Sequence, residues 1–388
     1  MKRFSALFLF VCLAPAGMLP AAGLSGRNSF ETLSLTYNAR FFALGGAGIS
    51  LVNDVNACLM NSSRLSGIQG MELSVSGNSH FAGSLGGQAS FAYPMPFGVF
   101  GASLVYFNYG RTELRTGDTE LPDSVWSPSD ILAVVSFGNQ LGRVFSYGIN
   151  LKYVQETLTA DDSMFGFAAD LNAFFNGLII PKLGLGVTVN NLGVITRQGF
   201  RGNNLPLSVV LGAAYPIELE FPVAGIYDIK PCLDLEMTLD LKPRVLLGSE
   251  FCWYHAAGDL NITGRAGFAW PSDAGTLTGL RLGLGADLRN FSLDYGIGWM
   301  DDLGFIHKVS FSFKARAPDS KRYVEAVSRK KLDKDLEDFN KAFNRKSDVP
   351  GTNASPAPLK KPRTEKQPET SPPPADKPAG DDEFDFEE

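Results

Sequence analysis

After Gly23 the sequence has no apolar run approaching the roughly 20 residues with which an α-helix crosses a bilayer, which excludes a helical membrane protein. Cysteine is scarce: of 4 in the chain, only Cys58, Cys232 and Cys252 lie beyond the leading segment, too few to staple a fold together. Histidine is scarcer still, at 3, and His80, His255 and His307 are far apart with no Cys-x-x-Cys near them, so no metal site is expected. Gly45-Gly46-Ala47-Gly48 lacks the Lys-Ser/Thr ending and the preceding strand of a phosphate loop. No Ser/His/Asp set can be assembled, so neither an enzyme nor a cofactor is expected. Charged residues make up 20% with a net charge of −6, which leaves no basic surface for nucleic acid.

What the chain does contain begins with a leader. Met1-Lys2-Arg3, an apolar run from Phe4 to about Leu19, and Pro20-Ala21-Ala22-Gly23 have the three zones of a secretory signal peptide, so residues 1–23 are expected to be removed on export.

From about Met71 to Phe313, segments of alternating apolar and polar residues follow one another, each near the length of a tilted transmembrane strand. Phe145, Tyr147, Ile149, Leu151 and Tyr153 share one face, and Ser146, Gly148, Asn150 and Lys152 the other. Phe165, Phe167, Ala169, Leu171, Ala173 and Phe175 alternate with Gly166, Ala168, Asp170 and Asn172, and Phe174 is the misfit, a large apolar side chain on a polar face. Leu233, Leu235, Met237 and Leu239 oppose the acidic row Asp234, Glu236 and Asp240, read as a solvated wall. Leu280 to Leu288 and Phe291 to Trp299 repeat the pattern. A soluble sandwich would alternate too, but here the polar faces carry Gly, Ser and Asn as a lumen does. Tyr153, Trp253, Trp270 and Trp299 sit near strand ends, like an interfacial girdle.

The runs place strands near 71–80, 86–95, 97–109, 130–140, 143–156, 162–176, 180–190, 204–215, 229–241, 243–254, 258–270, 277–288, 290–300 and 305–316. That gives an all-β fold, a transmembrane antiparallel barrel of about 14 strands over residues 71–316. Longer connections at 110–129, 191–203 and 216–228 are expected on the outer side. After the barrel, Tyr323, Val327, Leu332, Leu336, Phe339 and Phe343 suggest an amphipathic helix within 317–349. The Pro-rich, acidic 350–388 reads as a disordered tail. With an even strand count both termini are expected in the periplasm of an outer-membrane protein. The closing His307-Lys308-Val309-Ser310-Phe311-Ser312-Phe313 resembles the signal by which the barrel-assembly machinery takes up its clients.

The segment before the first strand carries a resemblance. Ala39-Arg40, Leu44-Gly45-Gly46-Ala47-Gly48, Asn53-Asp54-Val55-Asn56-Ala57 and Asn61-Ser62-Ser63-Arg64-Leu65 resemble the amino-terminal signature of the FadL family of long-chain fatty-acid and hydrophobic-compound transporters, and of the related PorV/PorQ-type barrels. The resemblance implies that 24–70 folds into a hatch plugging the barrel, with Gly45, Gly46, Gly48, Asp54 and Asn61 as its marker residues. It also implies passive uptake of a hydrophobic ligand such as a long-chain fatty acid, with ligand passage gated at Asn61. Ser62 and Ser63 stand where the family has Pro and Ala, which removes the fixed φ of a proline.

Strand phase offers Val154, Phe174 and Leu246 as inward apolar residues for a ligand pocket. Cys232 and Cys252, at equal distances from a turn near Lys242, could face each other as a disulfide. A second function fits the tail better: a PorV-like role in protein secretion, or anchoring of a periplasmic partner.

Overall fold

The computed structural model describes residues 30–80, 83–118, 120–159, 163–196, 205–221, 225–239, 241–254, 260–271 and 279–315. The expected leader, the helix within 317–349 and the tail lie outside the described residues.

Alternation builds one antiparallel barrel. Its strands begin with β1 (Glu72–Ser79), β2 (Leu85–Met95) and β3 (Gly98–Asn108); β4 (Thr112–Leu114) and β5 (Ser124–Trp126) form a separate hairpin within the next connection. There follow β6 (Ser129–Leu141), β7 (Phe145–Thr157), β8 (Ser163–Asn176), β9 (Gly184–Ile195), β10 (Ser208–Ala214) and β11 (Ile217–Phe221). Then come β12 (Gly225–Thr238), β13 (Arg244–Tyr254), β14 (Leu260–Trp270), β15 (Leu280–Leu288), β16 (Phe291–Trp299) and β17 (Phe305–Lys314). β10 and β11 are two halves of one strand broken at Tyr215-Pro216, both paired with β12, so the closed wall has 14 strands. β1 pairs with β17 from Glu72↔Lys314 to Ser79↔His307, which closes the barrel and puts the start of β1 and the end of β17 on the same rim. Closure matters because a wall in lipid can leave no edge of unpaired N–H and C=O groups.

The two faces of each strand have opposite surroundings. In β7, Tyr147, Ile149 and Leu151 are exposed on the outside, while Ser146, Gly148, Asn150 and Lys152 are buried against the lumen filling. The same alternation puts Leu284, Leu293, Tyr295 and Phe311 on the outside of the opposite wall. This continuous apolar exterior, with Trp270 and Trp299 near strand ends, is the surface of a membrane-spanning barrel. Among the described residues no helix is long and apolar enough to cross a membrane.

Three expectations fail. Residues 216–228 are mostly strand, not an outer loop: 217–221 pair with 229–225, and the connection between β11 and β12 falls on the rim opposite that of 109–128. Pro216 sits at the interruption of a strand, and Pro231 pairs within β12, opposite Ser249. The 191–203 connection likewise begins only after Ile195. The disulfide also fails. The hairpin of β12 and β13 is centred near residue 240 rather than Lys242, so Cys232 lies opposite Gly248 and Cys252 opposite Asp228. Four residues of offset separate the thiols by about 13 Å along the strand, and both are free.

Candidate functional site

The described residues before β1, here termed the hatch segment, pack against the inner side of β3, β6 to β8 and β14 to β17. Local chemistry sets their turns. Asn38 caps helix α1 (Ala39–Ala43) by accepting from the Arg40 amide at 2.9 Å. Asp54 accepts from the Asn56 amide at 3.0 Å just before helix α2 (Ala57–Met60). Asn61 opens the 3₁₀ turn Ser62–Gly67 by accepting from the Ser63 amide, and its own amide group donates to the Ile49 carbonyl at 2.9 Å. Asn61 is thus an internal brace. The Ser62 hydroxyl accepts from Asn172 on β8 at 2.8 Å, so a bond to the wall fixes the turn that a proline ring would otherwise stiffen.

Tight fit to the wall closes the lumen. Gly45 has φ +76°, and a Cβ there would lie 2.6 Å from the Phe268 backbone nitrogen. Facing it, a Cβ on Gly267 of β14 would overlap the backbone of Leu44 and Gly45. On the opposite side, Gly148 leaves no room for a Cβ beside the backbone of Ser62 and Ser63. Between these contacts Phe41, Leu44, Val52, Val55, Cys58 and Leu65 form an apolar cluster with Ala92, Val99, Cys232 and Leu246 of the wall. Each fully buried side chain of Leu or Phe size contributes roughly 1.5–3 kcal/mol.

Ion pairs latch the same segment. Arg40 donates from Nε and Nη2 to the two oxygens of Glu250 at 2.7 and 3.0 Å, and from Nη1 to Asp54 at 2.7 Å. Arg265 of β14 donates to Glu250 at 2.8 Å and to Asp294 at 2.7 Å, which extends the network across the wall. Burial alone would raise the Asp54 carboxyl, but Arg40, Lys314 and the Asn56 hydrogen bonds outweigh it and hold it below the usual carboxylate range. Asp234, expected on a solvated wall, is instead buried and accepts from the amides of Gly48 and Ile49 at 2.7 and 3.0 Å. Phe174 lies under Arg64, 3.8 Å from guanidinium carbon to ring centre, a cation–π contact. Phe174 and Leu246 therefore face the hatch and stand apart from Val154.

Val154 belongs to a second apolar cluster inside the lumen. The wall supplies Val105, Phe107, Leu132, Val134, Val154, Met164 and Ala168, Leu205 comes from the connection after β9, and the hatch supplies Phe30 and Tyr37, with Leu33 and Leu59 packed against them. Phe30 has a fully buried side chain on a left-handed backbone, φ 59° and ψ 53°, which a bulky residue rarely adopts. Polar groups rim the cluster: Tyr109 donates to Asp130 at 2.8 Å, and Tyr37 bonds to the Thr32 hydroxyl.

Beside this cluster the pairing among the described residues is interrupted. The β9–β10 ladder ends at Asn190↔Ser208, while β9 continues to Ile195 paired only with β8. Asn191, at φ 63°, marks the end of the ladder, where the β8–β9 register also shifts. Its side chain accepts from Lys152 at 2.8 Å and donates to the Pro206 carbonyl at 2.9 Å, and its amide donates to Asp170 at 2.8 Å. Sequence alone gave no signal for this brace beyond the unusual Lys and Asp on inward phases.

These features define a class: a membrane-spanning β-barrel of 14 strands with amino-terminal residues packed against the inner face of its wall. No family model and no curated protein matches the sequence. Among solved structures the chain is similar in fold to the P. putida toluene transporter TodX, at 12% identity, covering 72% of this chain and 99% of that one, with a TM-score of 0.50. The monoaromatic hydrocarbon channel CymD is also similar, at 12% identity over 72% and 98% of the two chains and a TM-score of 0.49. So is a Pseudomonas aeruginosa FadL homologue, at 11% identity over 72% and 98% and a TM-score of 0.46. The protein thus has the fold of outer-membrane barrels.

Proposed function

We propose that this barrel admits small hydrophobic molecules through the outer membrane by passive diffusion, with long-chain fatty acids and monoaromatic hydrocarbons as the ligand classes. The observation that carries the reading is the second lumenal cluster. It is a wall of Val105, Val134, Val154 and Met164 whose partner is the first described part of the hatch, Phe30 and Leu33, rather than another strand. An apolar molecule finds a dry surface there, and it enters as Phe30 leaves. The stretch of β9 from Asn191 to Ile195, unpaired toward β10, gives the molecule a way sideways into the membrane.

Orientation follows from loop length. The rim that holds Glu72 and Lys314 has the short connections 96–97, 142–144 and 289–290, and the other rim holds 109–128, so both chain ends face the periplasm in this reading. There the chain meets the barrel-assembly machinery, and the residues beyond Lys314 meet any periplasmic partner. The test is equilibrium binding of a fluorescent long-chain fatty acid to the refolded full chain, with toluene as competitor, for wild type and Val154→Asp. Saturable binding that toluene displaces and that Val154→Asp weakens on the order of tenfold or more supports the proposal, since an unpaired buried charge costs well over 1.4 kcal/mol. Equal binding by both proteins, or none by either while both are folded, overturns it.

A further inference from the structure

The outside of the barrel is not uniformly convex. Across the wall formed by β1 to β3 and β6 to β8, three alanines lie on the outward phase of neighbouring strands, among large lipid-facing side chains. Ala89 of β2 is paired with Leu104, Ala102 of β3 with Phe91 and Val135, and Ala133 of β6 with Leu104 and Tyr153. Each alanine ends at Cβ, so the surface sinks there between Phe91 on one flank and Leu151 and Phe167 on the other, which are all exposed. The result is a groove of about 570 Å³ with an almost wholly apolar lining. Across β15 to β17, by contrast, Leu284, Tyr295 and Val309 stand side by side.

We propose that this groove is a binding site for one acyl chain of a membrane phospholipid, held tightly enough to survive extraction in mild detergent. Its place decides the occupant. The groove is continuous with the lipid-facing wall on every side, so the molecules that cover it in the membrane are lipids. Its lining offers no polar anchor for a headgroup: the one outward hydroxyl, of Tyr153, donates to Gln155 at 2.9 Å. Its size also fits. Six adjacent strands span about 24 Å, enough for a chain that normally crosses one half of a core roughly 30 Å thick. A retained chain would pack against the outer side of the strand segments whose inner side carries Val105, Val134 and Val154, and so would stiffen the wall of the lumenal cluster. The site is independent of the transport reading.

Native mass spectrometry of the full chain, extracted from its membrane in mild detergent, tests this directly. The expected spectrum shows a monomer carrying one phospholipid. Ala102→Phe fills the groove and Leu151→Ala removes a flank. Each is expected to reduce the lipid-bound fraction on the order of tenfold, a change that corresponds to ~1.4 kcal/mol, while Leu284→Ala on the opposite wall leaves it unchanged. Heat-modifiable gel migration confirms that every variant is folded, and Leu151→Ala carries the test if Ala102→Phe does not fold. No retained lipid in the wild type, equal retention in all folded variants, or a wild-type dimer that Ala102→Phe converts to monomer each overturns the proposal. The last outcome would put a second copy of the chain in the groove.

Discussion

Arg40 of the hatch grips Glu250 of the wall through two hydrogen bonds of 2.7 and 3.0 Å, a bidentate charge pair linking residues 210 positions apart. Arg40 also reaches Asp54 within the hatch, so one side chain ties the plug to itself and to the barrel. Arg40→Ala leaves Glu250 held only by Arg265 and strands Asp54 without its cation. Breaking a buried pair of this kind costs about 3–5 kcal/mol. The expected result is a folded barrel with a loosened hatch, seen as sustained ion current across a planar bilayer where the wild type is closed. Wild-type current levels in the variant would mean that shape, not charge, holds the plug.

The same latch sets a pH dependence. The Asp54 carboxyl lies below its ordinary value in the folded protein, so its contribution is fully present above the unfolded value of about 3.9 and is lost as pH falls through the lower, folded value. Hatch release, followed as protease cleavage of the plug, is therefore expected below about pH 4. It should be absent between pH 5 and 7. Release already at pH 6 would point to a group other than Asp54.

Steric closure is tested separately at Gly267. A valine there places Cβ into the backbone of Leu44 and Gly45, which cannot recede because Gly45 is itself pressed against Phe268. Gly267→Val is expected to expel this part of the hatch while the outward face of β14 is untouched, giving a heat-modifiable barrel with open-channel current. A closed variant would show that the plug can shift to accommodate the side chain.

Most strand positions were legible in the sequence because a wall between lipid and a filled lumen imposes a period of two, and Phe174 was read as a misfit on its polar face. The structure shows why: Phe174 faces inward to carry Arg64 on its ring. Register was less legible. It depends on where a hairpin turns, and a shift of the β12–β13 turn from Lys242 to residue 240 moved Cys232 away from Cys252. The latch was invisible for another reason. Arg40, Glu250, Arg265 and Asp294 lie on four elements, and each alone reads as an ordinary lumenal charge. Asp234 misled in the same way, since nothing in its acidic neighbourhood announces the two hatch amides that it accepts. Val154 could be picked by phase alone, but its partner Phe30 could not, because the plug's path through the lumen is a tertiary fact.

Phe30 makes the sharpest claim about ligand entry. Its ring is buried among Val105, Val154 and Leu205, a gain of roughly 1.5–3 kcal/mol, while its left-handed backbone costs roughly 1–2 kcal/mol in any residue but glycine. The net hold is on the order of 1 kcal/mol, small enough for a ligand to displace. A pocket that is open only part of the time binds with an affinity reduced by that fraction. Phe30→Ala removes the ring and keeps the strain, so it is expected to tighten fatty-acid binding several-fold, up to about tenfold. Phe30→Gly removes the ring but relaxes the backbone, so it leaves the Glu31–Ser34 turn better seated and tightens binding less. Titration of the three proteins with the same fluorescent fatty acid ranks them. Unchanged or weaker binding by Phe30→Ala, with the hatch still closed to ions, would mean that the ring supports the pocket instead of occupying it.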